Sequence, residues 1–517
     1  MPFGRDMPYG RDGLRPTNPN LKHFAIAYRD PHERNTHMKR ILSLLLAAVM
    51  LLSVALPLTS CSEQDKLEKM EDTEKAFYLA ELAEKALTKA DTLHYRRYLN
   101  IKNPYFNSSC TVDESVNYTD TKEGFGYINN TRESFSMVGM GGTSTSETGF
   151  KDGYTFAYHK AGVGESRFKA AMTEKAYREV PSFSSIIPSS LGLRIKEGDC
   201  TKTTVEQQED GDWLITYEGF TETRAYNFTV RQHDLAKDLT VTHKPLDLTV
   251  TLLLSPDFSP IRAKAEVLFH NSKEYYHAEP TVSVSLDFSY GENSGAKGVI
   301  DGVDLSKYTE LEDMDTLNAF FDGLDHHVKA AEGEFTVDTA TTFSDGVQSQ
   351  SANVVQTVDY ANTVNGYRFN VEYEQDEKRY VLSYAGTHAF QTVYGKSGSK
   401  LSENTLRIID AQARLTVADY MNRYGVTPAD VASVEVFSEG AGLYRYTLQE
   451  DSMKRWASTI LKTAFPDSKV EISSCSAVLT PEILNGVMES YTVTLNAEIT
   501  VDGTPLTFTT STQVVFY

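Results

Sequence analysis

Few residues in this 517-residue chain have the types and spacing to do chemistry. Asp322, Asp325 and His326 fall on one side of a predicted helix, where two carboxylates and an imidazole could hold a metal or move a proton. Lys329 completes that face, so the pattern reads as a solvated, salt-bridging surface. Gly139-Met140-Gly141-Gly142-Thr143-Ser144 begins like a phosphate-cradling loop, but the third glycine is missing and no helix pattern follows, which makes it a strand connection. Gly395-Lys396-Ser397 lacks the glycine five residues earlier that a phosphate loop needs, because Phe390 stands there. Ser397-Gly398-Ser399-Lys400 matches Ser-x-x-Lys with no Lys-Thr-Gly after it. His-Glu-x-x-His, Gly-x-Ser-x-Gly and calcium-loop patterns are absent. On these grounds no catalytic residue, no metal ligand and no cofactor is assigned, and no enzyme activity is expected.

Cys61 is the one residue with a specific chemical context. Met38-Lys39-Arg40 opens a basic region, and Ile41 to Leu56 is an apolar run broken only by Ser43 and Ser53. That is the layout of a secretory signal. A membrane span wants ~20 apolar residues and a stop-transfer flank, whereas this run ends at Pro57 and meets acidic Glu63-Gln64-Asp65. Leu58-Thr59-Ser60-Cys61 resembles the bacterial lipobox, which implies that Cys61 receives diacylglycerol and becomes the mature N-terminus. The expectation is an exported lipoprotein tied to the cell membrane, with residues 1–60 outside the mature fold and translation starting at Met38 rather than Met1.

Residues 1–60 hold 8 of the 50 Lys and Arg and 4 of the 71 Asp and Glu, leaving 42 basic and 67 acidic side chains and a net charge of −25 on residues 61–517. A body this acidic is a poor partner for nucleic acid or anionic headgroups. Beyond Cys61 the cysteines are Cys110, Cys200 and Cys475, an odd number whose only pair within the first half is Cys110 with Cys200. No Cys/His spacing suggests a metal site. Asn107, Asn117 and Asn227 head Asn-x-Ser/Thr triplets that read as turn and strand chemistry.

The elements that must position any site occur twice. Leu79, Leu82, Ala83, Ala86, Ala90 and Leu93 form a helical stripe, and Leu317, Phe320, Phe321, Leu324, Val328 and Ala331 form another. Each is followed by Tyr-, Phe-, Thr- and Val-rich segments. Leu246 to Leu254, Ile261 to Phe269 and Val282 to Tyr290 alternate with period two, as half-buried antiparallel strands do. Segments around Val470–Leu479, Tyr491–Ile499 and Leu506–Phe516 answer them. Further matches are Asp152 to Tyr158 with Glu377 to Tyr384, Asp212 to Tyr217 with Gly442 to Thr447, and the Leu254-Ser255-Pro256-Asp257 turn with Leu479-Thr480-Pro481-Glu482. The organisation expected is a tether over 61–74, one β-rich repeat over 75–290, a linker over 291–315 and a second repeat over 316–517. Central helical or irregular stretches are placed around Ser182–Leu193 and Leu406–Arg423.

The expected fold class is α+β and β-dominated: two tandem copies of a curled antiparallel sheet, a half-barrel, covered by a few helices. This order of elements resembles the LolA-like carriers of the periplasm and the lipid-binding lipoproteins of mycobacteria. The resemblance covers each repeat by architecture, with no shared motif, and implies a non-enzymatic carrier of a hydrophobic molecule or lipid. The alternative is a cell-envelope interaction module presenting a Tyr-rich surface to a protein or polysaccharide. A hydrolase comes third. A large apolar cavity favours the carrier, a filled core the module, and a polar cleft with convergent ionisable groups the enzyme.

Overall fold

A computed structural model describes residues 63 and 66–517, apart from 105–106, 138–139, 179–194, 270–278, 364–365, 409, 439–442 and 485. Cys61, the apolar run before it and the Ser182–Leu193 stretch lie outside the described residues. The chain divides into Met1–Met70 and a unit spanning Glu71–Tyr517. In the first, the described residues include a Lys66–Glu63 ion pair at 3.2 Å.

The larger unit opens with helix α1 (Asp72–Thr88), whose buried Ala76, Leu79, Ala83 and Leu87 recur at three- and four-residue steps. The helix stops before Leu93, which enters the first strand instead of prolonging the stripe. Strands β1 (Thr92–Asn103), β2 (Ser108–Thr121), β3 (Gly124–Met137), β4 (Met140–Lys151), β5 (Tyr154–Ala161) and β6 (Gly164–Ala171) follow, joined by short connections, and then the short helix α2 (Glu174–Arg178). Next come β7 (Cys200–Gln207), β8 (Trp213–Phe220), helices α3 (Glu222–Gln232) and α4 (Asp234–Thr242), and β9 (Pro245–Leu254), β10 (Pro260–Phe269) and β11 (Thr281–Tyr290). Residues 291–315 contain α5 (Ala296–Asp301) and β12 (Thr309–Leu311). The second half runs α6 (Met314–Lys329), β13 (Glu332–Ser344), β14 (Ser349–Thr363), β15 (Gly366–Gln375), β16 (Lys378–Ala385), β17 (His388–Tyr394), β18 (Lys400–Arg407), α7 (Asp410–Met421), β19 (Val431–Ser438), β20 (Leu443–Leu448), α8 (Glu450–Ala464), β21 (Val470–Leu484), β22 (Val487–Val501) and β23 (Thr504–Phe516).

Two open sheets result. One has the order β12-β6-β5-β4-β3-β2-β1-β11-β10-β9-β8-β7, the other β18-β17-β16-β15-β14-β13-β23-β22-β21-β20-β19. Replacing β1–β6 by β13–β18 and β7–β11 by β19–β23 turns one order into the other, except for β12. The fold is therefore β-dominated α+β, with two antiparallel sheets of the same strand order. In each, the last strand returns to pair with the first: Leu93 faces Tyr290, and Phe335 faces Phe516. A tyrosine ties the leading helix to its sheet in both halves. Tyr217 on β8 donates to Ala76 O at 3.0 Å, and Tyr446 on β20 donates to Thr316 O at 2.7 Å.

Two sequence correspondences and one loop reading shift. The Asp152–Tyr158 segment is β5, whose equivalent by strand order is β17, so matching it to Glu377–Tyr384 was one strand out. Successive hairpin strands with the same Tyr/Phe alternation are interchangeable to the eye. Ser255-Pro256-Asp257 does turn between β9 and β10, but Thr480-Pro481-Glu482 lies inside β21, where Pro481 faces Tyr491 and a bulge follows Glu482. Gly141 to Ser144 sit within β4 rather than in a connection, while Gly139 is outside the described residues.

In the second half, α6 lays Leu317, Phe320 and Leu324 on the sheet, with Gly323 close against Met488. Phe320 is fully buried and meets Tyr491 edge-on at 5.2 Å; Phe321 is half-buried beside it. The stripe does not continue through Val328, which is 38% exposed. His327 turns inward in its place.

Candidate polar face and Cys-His-Glu cluster

Directly paired residues of an antiparallel sheet share a face, so the register lets the inner surface be read across the strands. Over β1 and β11 that surface is apolar, as at Leu99 facing Val284 and Tyr95 facing Phe288. Toward β5 it changes character. Arg97 pairs with Glu114, Glu114 with Thr131, Thr131 with Ser146, and Ser146 with His159. The neighbouring rows add Asn129 beside Thr148 and Glu133 beside Ser144. Ser144, Thr148 and Phe135 are exposed, so this part of the face is open to solvent.

Hydrogen bonds organise these groups. Asn129 Nδ2 donates to Glu114 Oε1 at 3.0 Å, and Arg97 lies 3.8 Å from Glu114 Oε2 while donating to Gln232 Oε1 at 3.4 Å. The Oδ1 of Asn129 is buried and accepts no hydrogen bond from the described residues. Burial, with the Glu114 carboxylate next in weight, pushes the Tyr95 and Tyr127 phenols well above their ordinary range, keeping both as neutral donors. Burial holds the His159 ring neutral by lowering its pKa.

At one end of this face, three elements bring Cys110, Glu133 and His233 together, with their ligand atoms within 4.8 Å of one another. Cys110 lies on β2 and is fully buried. Glu133 is its diagonal neighbour on β3, since Val112 is what faces Glu133 directly. His233 separates α3 from α4 in an extended conformation at φ −173°. Its Nδ1 accepts from Leu235 N at 3.1 Å and so caps α4, which leaves the proton on Nε2. That Nε2 stands 3.7 Å from Cys110 Sγ and 3.4 Å from Glu133 Oε1. Contact with Cys110, then with Glu133, raises the ring's pKa, against the Leu235 N–H, which requires an unprotonated Nδ1 and keeps the ring neutral here; the imidazole in turn holds the Glu133 carboxyl below its usual range.

Cys110, Cys200 and Cys475 are all free thiols, and five strands separate β2 from β7, where Cys200 sits. Asn107 occupies a positive-φ turn position at 46°, and Asn117 pairs with His94 Nδ1 at 3.0 Å; Asn227 lies in α3 and not in a turn or strand. Asp322, Asp325 and His326 are exposed, with Lys329 paired to Asp325 at 2.5 Å. Gly395 and Gly398 close a turn through Gly398 N to Gly395 O at 2.8 Å, and Lys400 pairs with Glu403 at 2.6 Å. The signals quoted for phosphate loops and serine chemistry thus fall in turns and strands with their charges locally paired.

The second half has its own concavity, about 590 Å³, at the end of the sheet where His327, Glu482, Met488, Ser490, Gln513 and Phe516 meet. His327 was not singled out by the sequence, because a histidine one position from a helical stripe carries no distinguishing mark there. A second hollow of about 470 Å³ lies beside Phe437, Arg445, Thr480 and Asn496.

No protein-family model and no curated protein matches this chain. Among solved structures, the YwiB protein from Bacillus subtilis is 8% identical over 37% of this chain and 98% of its own, at a TM-score of 0.12. A putative AttH from Nitrosomonas europaea is 9% identical over 82% of this chain and 93% of its own, at 0.13. A porin-like protein from Bacteroides uniformis is 8% identical over 83% and 98%, at 0.09. At such TM-scores none of these likenesses bears on fold or function.

Proposed function

We propose that this chain is a membrane-tethered, extracytoplasmic binding module whose first repeat takes a hydroxyl-rich ligand of the oligosaccharide class on the inner face of β2–β5. The observation that carries this reading is the row Arg97, Glu114, Thr131, Ser146 and His159 on a face that elsewhere in the sheet is apolar. Polar groups on an inner face are costly unless water or a ligand satisfies them. This row offers donors at Arg97 and Asn129, acceptors at Glu114 and Glu133, and hydroxyls at Thr131, Ser144, Ser146 and Thr148. Phe135, 40% exposed at its margin, is an apolar platform of the kind on which a sugar ring can lie. Cys61 in its lipobox-like context supplies the tether, and a carrier of hydrophobic molecules finds less support because Phe320 fills the space beneath α6 in the second repeat.

Calorimetric titration of the full chain with soluble cello- and chito-oligosaccharides tests the reading. Saturable binding that weakens at least ~10-fold in Glu114→Ala, the loss of one charged hydrogen bond, is the expected result. No heat from any glycan, together with a lipid found by mass spectrometry in protein extracted from its membrane, would overturn it in favour of the hydrophobic carrier.

A further inference from the structure

We infer that Cys110, Glu133 and His233 form a binding site for a divalent cation of the zinc class. The donor set is one sulfur, one imidazole nitrogen and one carboxylate oxygen, each from a different element. Thiolate and imidazole together select zinc and its transition-metal neighbours over magnesium and calcium, which prefer oxygen alone. With zinc bonds of about 2.3 Å to sulfur and about 2.0–2.2 Å to nitrogen and oxygen, tetrahedral geometry places ligand atoms roughly 3.4–3.6 Å apart. Two of the separations are 3.7 Å from His233 Nε2 to Cys110 Sγ and 3.4 Å from Nε2 to Glu133 Oε1, and Cys110 Sγ lies within 4.8 Å of the Glu133 carboxylate, close enough to be drawn in by an ion. Cys110 is fully buried, whereas the His233 and Glu133 side chains are 30% and 39% exposed. An ion therefore enters from the solvent side and keeps a fourth position open to water, the arrangement of zinc sites with three protein ligands.

Loading has a defined chemical balance. The cation displaces the Cys110 thiol proton to solvent, and the imidazole proton moves from Nε2 to Nδ1 as Nε2 becomes a ligand. Nδ1 can then no longer accept from Leu235 N, so the first turn of α4 exchanges that cap for water. One cap hydrogen bond is a minor loss against a metal–thiolate bond, and it makes the Leu235 amide a reporter of occupancy. Glu133 borders the polar face as well, but the case for the ion rests on these three residues and does not require a ligand on that face.

Cobalt(II) added to the full, metal-stripped chain tests this. The expected result is one ion per chain, the near-ultraviolet thiolate-to-cobalt band with tetrahedral visible bands, displacement by zinc, and faster hydrogen exchange at Leu235. Cys110→Ser removes the thiolate band and His233→Ala abolishes stoichiometric binding. Glu133→Gln, a partly exposed change that spares the core, weakens affinity by more than the roughly 10–100-fold that loss of a supporting group costs. Cys475→Ser keeps the full spectrum. Binding well below one ion per chain, or a thiolate band that persists in Cys110→Ser, would overturn the site and leave the three residues as a hydrogen-bonded cluster.

Discussion

The imidazole of His327 lies flat on the ring of Phe516, with 3.9 Å between centroids and 7° between planes. Its Nε2 is 2.7 Å from Met488 O, so the neutral ring donates there, and Tyr360 OH donates to the His327 carbonyl at 2.7 Å. One residue thus joins the end of α6 to β14, β22 and β23. Burial, chiefly, lowers its pKa below 6.5, with the neighbouring His326 adding to the effect. A histidine depressed in the folded state contributes stability that is present above its unfolded pKa and is lost as pH falls through the folded value. The wild-type chain should therefore lose stability below about pH 6.5 faster than His327→Gln, which keeps a donor and cannot titrate. Melting temperatures of both proteins between pH 5 and 8 check this; parallel curves would refute it.

Phe320 and Phe321 are neighbours on α6 with different burial. Phe320→Ala should cost ~3–5 kcal/mol, as a large core truncation does, because Phe320 is fully buried among Tyr446 and Tyr491. Phe321→Ala, at the half-buried position, should cost less. Denaturant unfolding of the delipidated protein measures both, and a small loss at Phe320 would mean that α6 overlies space rather than packed side chains.

Gly149 on β4 has no room for a methyl group. An added Cβ would stand 2.4 Å from Tyr127 O and 2.6 Å from the Phe156 ring, and Phe156 is itself buried. Gly149→Ala should destabilise by ~1–3 kcal/mol through overpacking. Phe156→Leu in the same chain should recover part of that loss, and a double-mutant cycle gives the coupling.

Cys61→Ser should release the protein from the membrane fraction, since two acyl chains anchor stably where one does not. Fractionation at high salt reads the outcome. Continued sedimentation of the variant with membranes would show another means of attachment.

Legibility followed range along the chain. β9, β10 and β11 were plain because alternation such as Ala263-Lys264-Ala265-Glu266 is a local property, and away from the strand ends the buried residues are the ones that alternation selects. The β-dominated class and the doubled strand set follow from such local signals repeated in order. The equivalent of β5 was harder to place, because a hairpin meander offers the same pattern at each step and β16 resembles β17. The Cys-His-Glu cluster left no trace at all. Cys110 and His233 are 123 residues apart, and what joins them is the diagonal register of β2 with β3 and the break between two helices. The polar row behaved likewise, since Thr131 and Ser146 are unremarkable until pairing aligns them with Glu114.

β12 runs parallel to β6, with Thr309 opposite Phe168, and it comes from the segment that follows the first repeat. Ser166 on β6 donates to Pro428 O at 2.7 Å, and the side chain of Gln449 donates to Glu165 O at 2.5 Å, so the second half also closes over that border. β18, the corresponding border of the second sheet, is exposed at every position. The module that is repeated and the module that is self-sufficient are therefore different stretches of chain. A fragment cut at Tyr290 would carry every strand of the repeated pattern and still leave β6 as an unguarded template for foreign strands, whereas the intact chain guards it with its own continuation.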